Sequence, residues 1–148
     1  TMDSLFWGIG NMDWKECKDN KLVKEVNIDH NLIASLLKSA DKKLKSQSML
    51  PLDETTASSK VTLTYDALRE YLEAISIENN FKIYNHECYC SFLKEILDES
   101  ELGTIFNEFR KVRNSINYYG KDISIDEAEP LIKDMIEFIE KVKHRKKS

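Results

Sequence analysis

Arg113 is the residue in this sequence best placed to do chemistry. It sits in Phe109-Arg110-Lys111-Val112-Arg113-Asn114-Ser115-Ile116-Asn117-Tyr118-Tyr119-Gly120. At about 100° per residue it falls between Phe109 and Ile116, inside an apolar stripe of Leu102, Ile105, Phe106, Phe109, Val112 and Ile116. Arg110 and Lys111 fall towards the edge or the polar side. A guanidinium stays charged and is rarely buried without partners. Either Arg113 reaches past the core to a carboxylate, or it binds an anion with Asn114, Asn117, Tyr118 and Tyr119 close by. Other chemistry is poorly provided for. His86-Glu87-Cys88-Tyr89-Cys90 gathers metal-capable groups, but Cys88 points away from His86 and Cys90 on a helix, and four-ligand zinc spacing is absent. Gly8-Ile9-Gly10 lacks the third glycine and the lysine of a phosphate loop. No serine stands on a turn signal with a partner histidine. No metal and no cofactor are expected.

The elements that must position Arg113 are helical. A first helix spans about Asp29 to Ser48, with Leu32, Ile33, Leu36, Leu37, Ala40 and Leu44 inward and Asp29 as N-cap. A long second helix runs from about Thr55 to Asn79; Val61 to Tyr65 alternates like a strand, but the helical period on both sides keeps it helical. Residues 79–85 read as a loop and His86 to Leu97 as a short helix. The Arg113 helix runs from about Glu99 to Tyr119, stopped by Gly120. The last helix covers about Asp126 to Lys143. Its start is ambiguous between Ser124 with Glu127 and Asp126 with Glu129; Pro130 favours the later one. The expected fold is all-α, an antiparallel up-and-down bundle of four or five helices over residues 27–142. Residues 1–26 form an arm packing on it through Phe6, Trp7 and Trp14, with Lys15 to Val26 as a short helix. Residues 143–148 form a basic tail.

Composition sets the limits. At 41% apolar and 32% charged, with four Gly and two Pro, the chain of 148 residues is ordered, soluble and large enough for one core. The net charge of −4 gives no general nucleic-acid footprint, yet residues 141–148 carry five Lys/Arg, which leaves −9 on the rest. No apolar run is long enough for a bilayer and no signal-peptide pattern is visible; Thr1 ahead of Met2 reads as an added residue. Cys17, Cys88 and Cys90 are an odd set without framework spacing, which points to reduced thiols and a cytoplasmic protein with no membrane partner.

Residues 113–120 resemble the HEPN superfamily, whose late helix carries an Arg followed after four to six residues by a His. Tyr118 stands where that His would be at the shortest spacing. Leu36-Leu37-Lys38-Ser39-Ala40 is similar to the family's first helix, residues 55–79 to its second, and Asn85-His86-Glu87 to a His-bearing junction. The resemblance implies an HEPN-like bundle, a homodimer, and an RNA-directed role in a toxin–antitoxin, defence or RNA-processing setting. Active members are metal-independent ribonucleases; others bind RNA or a nucleotide, or pair with a minimal nucleotidyltransferase. In such a site Arg113 and Tyr118 would be catalytic, and Asn114, Asn117, Tyr119 and His86 would bind. The cation is kept but the base is not, since a phenol of pKa about 10 is a poor base at neutral pH. The resemblance therefore implies a noncatalytic module, with a divergent ribonuclease or a helical protein-interaction domain as the alternatives.

Overall fold

The computed structural model describes residues 12–145. Phe6, Trp7, the Gly8-Ile9-Gly10 stretch, Lys146, Lys147 and Ser148 lie outside the described residues. In chain order the elements are α1 (Trp14–Asp19), β1 (Val23–Glu25), α2 (His30–Met49), α3 (Ala57–Glu78), β2 (Phe81–Ile83), α4 (Cys88–Ser91), a π-helical turn (Phe92–Ile96), α5 (Ser100–Tyr119) and α6 (Ile125–Lys143). The described residues are thus mainly helical, and no helix among them is long and apolar enough to cross a membrane.

The central element is α3. Ala57, Val61, Tyr65, Leu68 and Leu72 are buried, and so are Ala67, Ala74 and Ile77 on its other sides. Such all-round burial follows from its neighbours: α2, α5, α6 and β2 all pack against it. The β-branched stretch 61–65 stays helical, and Thr64 returns its hydroxyl to the Lys60 carbonyl at 2.7 Å. Buried Lys60 donates its ammonium to the Gln47 and Leu50 carbonyls, closing the C-terminal end of α2. At the other end of α2, Asp29 accepts from Leu32 N at 3.0 Å, as its N-cap position predicts.

Four expectations are corrected. Val23–Glu25 is a strand, not the end of a helix, and it pairs antiparallel with Phe81–Ile83, read from sequence as loop; the register is Val23↔Ile83, Lys24↔Lys82, Glu25↔Phe81. Three-residue strands are too short to show alternation against their flanks. The short helix after His86 becomes one α-turn and a π-turn, in which Leu97 N reaches Phe92 O at 3.0 Å while Phe92 and Leu93 stay buried. The last helix takes the earlier start: Ser124 accepts from Glu127 N at 3.2 Å, leaving Pro130 inside the helix. Pro130 and Asp126 are both exposed, where a carbonyl that loses its helical partner costs least. Finally, Cys17 and Cys88 are not reduced thiols. They form a disulfide between α1 and α4, with Cα atoms 6.1 Å apart, and Cys90 is the buried free cysteine. The reading of the compartment from the thiols therefore loses its premise.

Residues 12–26 join the body closely. Trp14 is buried, edge-on to Phe81 at 5.0 Å and 5.8 Å from Phe92, and its backbone N–H donates to Glu95 at 2.7 Å.

Candidate anion-binding cleft

Two elements build the walls of a cleft of about 390 Å³, lined by Tyr84, Asn85, His86 and Glu87 from the β2–α4 connection and by Arg110, Arg113, Asn114 and Tyr118 from α5. The connection is held by its own backbone geometry. Asn85 Oδ1 accepts from Glu87 N at 2.8 Å, while its carbonyl accepts from Cys88 N at 3.0 Å. This turn presents His86 to α5. Behind it, the buried phenol of Tyr65 on α3 lies 3.0 Å from His86 Nδ1. Burial raises the Tyr65 pKa, so the phenol stays protonated and can donate to Nδ1, which leaves the imidazole proton on Nε2.

The two arginines are held differently. Arg113 is half-buried, with its guanidinium carbon 5.7 Å from the centroid of the Tyr65 ring. With the Asn117 amide oxygen turned towards it, Arg113 donates from Nε at 2.9 Å and Nη2 at 3.2 Å. Arg110 is the buried one, only 6% exposed, against the expectation that it lies at the edge or the polar side. It donates from Nε and Nη2 to Asn107 Oδ1 at 3.2 and 2.8 Å. Cys90 Sγ lies 3.7 Å from the same oxygen, and burial pushes its thiol up to about 11. Among the described residues neither Arg110 nor Arg113 forms an ion pair with a carboxylate.

Electrostatics keeps the imidazole neutral. Burial, followed by the nearby guanidiniums of Arg69, Arg113 and Arg110, lowers the His86 pKa to about 4; Glu73 acts the other way. Glu73 itself is taken up by Arg69 at 3.3 Å and by Lys82. Burial raises the Glu87 pKa, against the opposing effect of Arg110 and a backbone hydrogen bond from Met12. With Nδ1 taken by Tyr65, the neutral imidazole can donate its Nε2–H to an anion, and the arginines can balance the anion's charge.

Of the residues singled out from sequence, Arg113, Asn114, Tyr118 and His86 meet in this cleft. Asn117 is exposed and serves Arg113 from one turn on, while Tyr119 is 45% exposed and is not among the lining residues. Arg110, Asn107, Tyr65 and Arg69 were not picked out. Asn107 and Arg110 stand three apart on one helix face, a spacing that pairs an amide with a cation. Nothing local in the sequence links Tyr65 to His86, 21 residues away. Among the described residues no three His, Cys, Asp or Glu side chains gather as a metal set. No family model, curated protein or solved structure matches the chain.

Proposed function

We propose that the chain is an HEPN-like helical module that binds RNA or a nucleotide at the Arg110–Arg113 cleft, as a homodimer and without catalysing a reaction. The observation that carries the reading is the pair of arginines in a polar cleft with no carboxylate ion pair among the described residues. A guanidinium serving the fold alone is ordinarily neutralised by a carboxylate. Here amide oxygens and an aromatic ring orient the two cations and leave their charge for a ligand. Dimerisation through α5 is supported by Ile105, Val112 and Ile116, which pack on the core but are not fully buried along that helix. The same binding face suits a nucleotide presented by a nucleotidyltransferase partner.

A second reading, a divergent metal-independent ribonuclease, draws on His86, which brings an imidazole to Arg113 although none follows it in sequence. With its pKa lowered to about 4, His86 is unprotonated at neutral pH but a weak proton acceptor.

Sedimentation velocity of the full chain with fluorescent single-stranded RNA tests these points together. The free protein should sediment at twice 17.3 kDa and carry RNA with it. Arg113→Ala should weaken RNA binding by about 10- to 100-fold, the value of a charge-assisted hydrogen-bond pair, and Arg113→Lys should not restore it. A 17.3 kDa species alone overturns the dimer, and RNA binding that Arg113→Ala leaves unchanged overturns the site. RNA cleavage by wild type that is lost in His86→Ala replaces the noncatalytic reading with the second one.

A further inference from the structure

Resting on the reading of the cleft as a phosphate site, the geometry points to a narrower ligand: we infer that it takes a phosphomonoester dianion in preference to an internal phosphodiester. Such a group is the terminal phosphate of an RNA chain or the phosphate of a nucleoside monophosphate.

The first argument is charge. Arg110 and Arg113 lie three residues apart on α5 and line one wall of the cleft. The third guanidinium near His86, Arg69, shares Glu73 with Lys82, so that trio keeps one positive charge. Arg110 and Arg113 add two more. The one carboxyl in the lining, Glu87, takes one charge away; burial raises its pKa, with Arg110 opposing. His86 adds a neutral Nε2–H donor. The balance is two positive charges, and an internal phosphodiester, with one negative charge, leaves one of them unmatched. A monoester brings close to two at neutral pH, with its second ionisation near pH 6. Unmatched charge in a partly desolvated cleft is costly, so the dianion fits better.

The second argument is size and shape. About 390 Å³ is at the small end of ligand pockets, enough for one nucleotide unit. Tyr84 and Tyr118 are exposed at its rim, 58% and 62%, where their rings can meet a base. A terminal phosphate carries three peripheral oxygens, which suits donors converging from α5 on one side and the His86 turn on the other. Both walls are framed by bonds already in place, Asn107 to Arg110 and Asn85 to Glu87, so the donors are arranged before a ligand arrives.

The test is calorimetric titration of the wild-type full chain at pH 7.5 with adenosine 5′-monophosphate and with its methyl ester, which keeps the nucleoside and one phosphate charge but loses the second. The monophosphate should bind at least about tenfold more tightly. A short oligoribonucleotide with a 5′-phosphate should likewise exceed its 5′-hydroxyl form. Preference in the nucleotide pair alone makes the free nucleotide the source, and preference in the oligonucleotide pair alone makes the chain end the source; either upholds the inference. Equal affinity within both pairs overturns it. If RNA still binds and depends on Arg113, the phosphate-site reading survives that failure. If RNA binding ignores Arg113, both fall. The comparison is made on the unaltered protein, so it does not depend on a variant folding.

Discussion

At the residue scale, helical phase put Arg113 on the packing face and Arg110 off it, whereas Arg110 is buried and Arg113 half-buried. The apolar letters of α5 mark a stripe through Leu102, Ile105, Phe106, Phe109, Val112 and Ile116, yet the side actually sealed runs through Leu102, Gly103, Phe106, Asn107, Phe109 and Arg110. Gly, Asn and Arg carry no apolar signal, so the buried face extends where the sequence reads as polar. From sequence His86 starts a short helix and is a binding residue by the HEPN resemblance; its Tyr65 partner required the fold. That environment has a consequence for stability. The folded His86 pKa, about 4, lies below the ordinary value near 6.5, so the unfolded chain binds the extra proton between these values. His86 therefore costs nothing above about pH 6.5 and destabilises the fold progressively as pH falls towards 4, by on the order of 3 kcal/mol. Denaturant unfolding at pH 7.5 and pH 4.5 should show a smaller loss of stability in His86→Gln than in wild type. An identical loss in both would mean that His86 is not held neutral.

At the element scale, the long helices were legible because their apolar period repeats over several turns: α2, α3 and α5 begin and end within about two residues of the sequence reading. Gly120, at φ +63°, ends α5 in the left-handed conformation that its position predicts. What was not legible is that α3, and not α5, is central, because centrality depends on how many neighbours an element acquires. The approach of α4 to α5 was also invisible. A Cβ on Gly103 would lie 2.6 Å from Lys94 Cγ and 2.9 Å from the Cys90 carbonyl oxygen. The lysine can swing away, but the backbone carbonyl cannot. Gly103→Ala should thus destabilise by about 1–3 kcal/mol despite Ala's better helix propensity, read as a lower denaturant midpoint. An unchanged or raised midpoint would show that the two helices are less tightly apposed. Because the shift separates α4 from α5, the same variant should weaken ligand binding more than a comparable core change in α2.

At the scale of the whole molecule, the Cys17–Cys88 bond ties the first described helix to the turn that carries His86, closing a loop of 71 residues that contains α2 and α3. No spacing rule could pair two cysteines so far apart; β1 and β2, together with Trp14 against Phe81 and Phe92, bring them together. The cleft is likewise assembled from residues 84–87 and 110–118 over a buried residue of α3, so sequence could nominate its members but not show that they meet. Charge is segregated at the same scale: the basic end of α6 lies apart in sequence from the cleft, and Lys143 stacks over Tyr71 at 5.0 Å. On the proposed function, anion recognition belongs to the Arg110–Arg113 cleft and not to that basic end. The most direct test follows the arginine side-chain Nε–H signals of the ¹⁵N-labelled full chain by NMR while single-stranded RNA is added. The Arg110 and Arg113 Nε–H signals should shift with the ligand, along with the His86 ring. Shifts confined to residues 141–145, with both arginine signals unmoved, would contradict it.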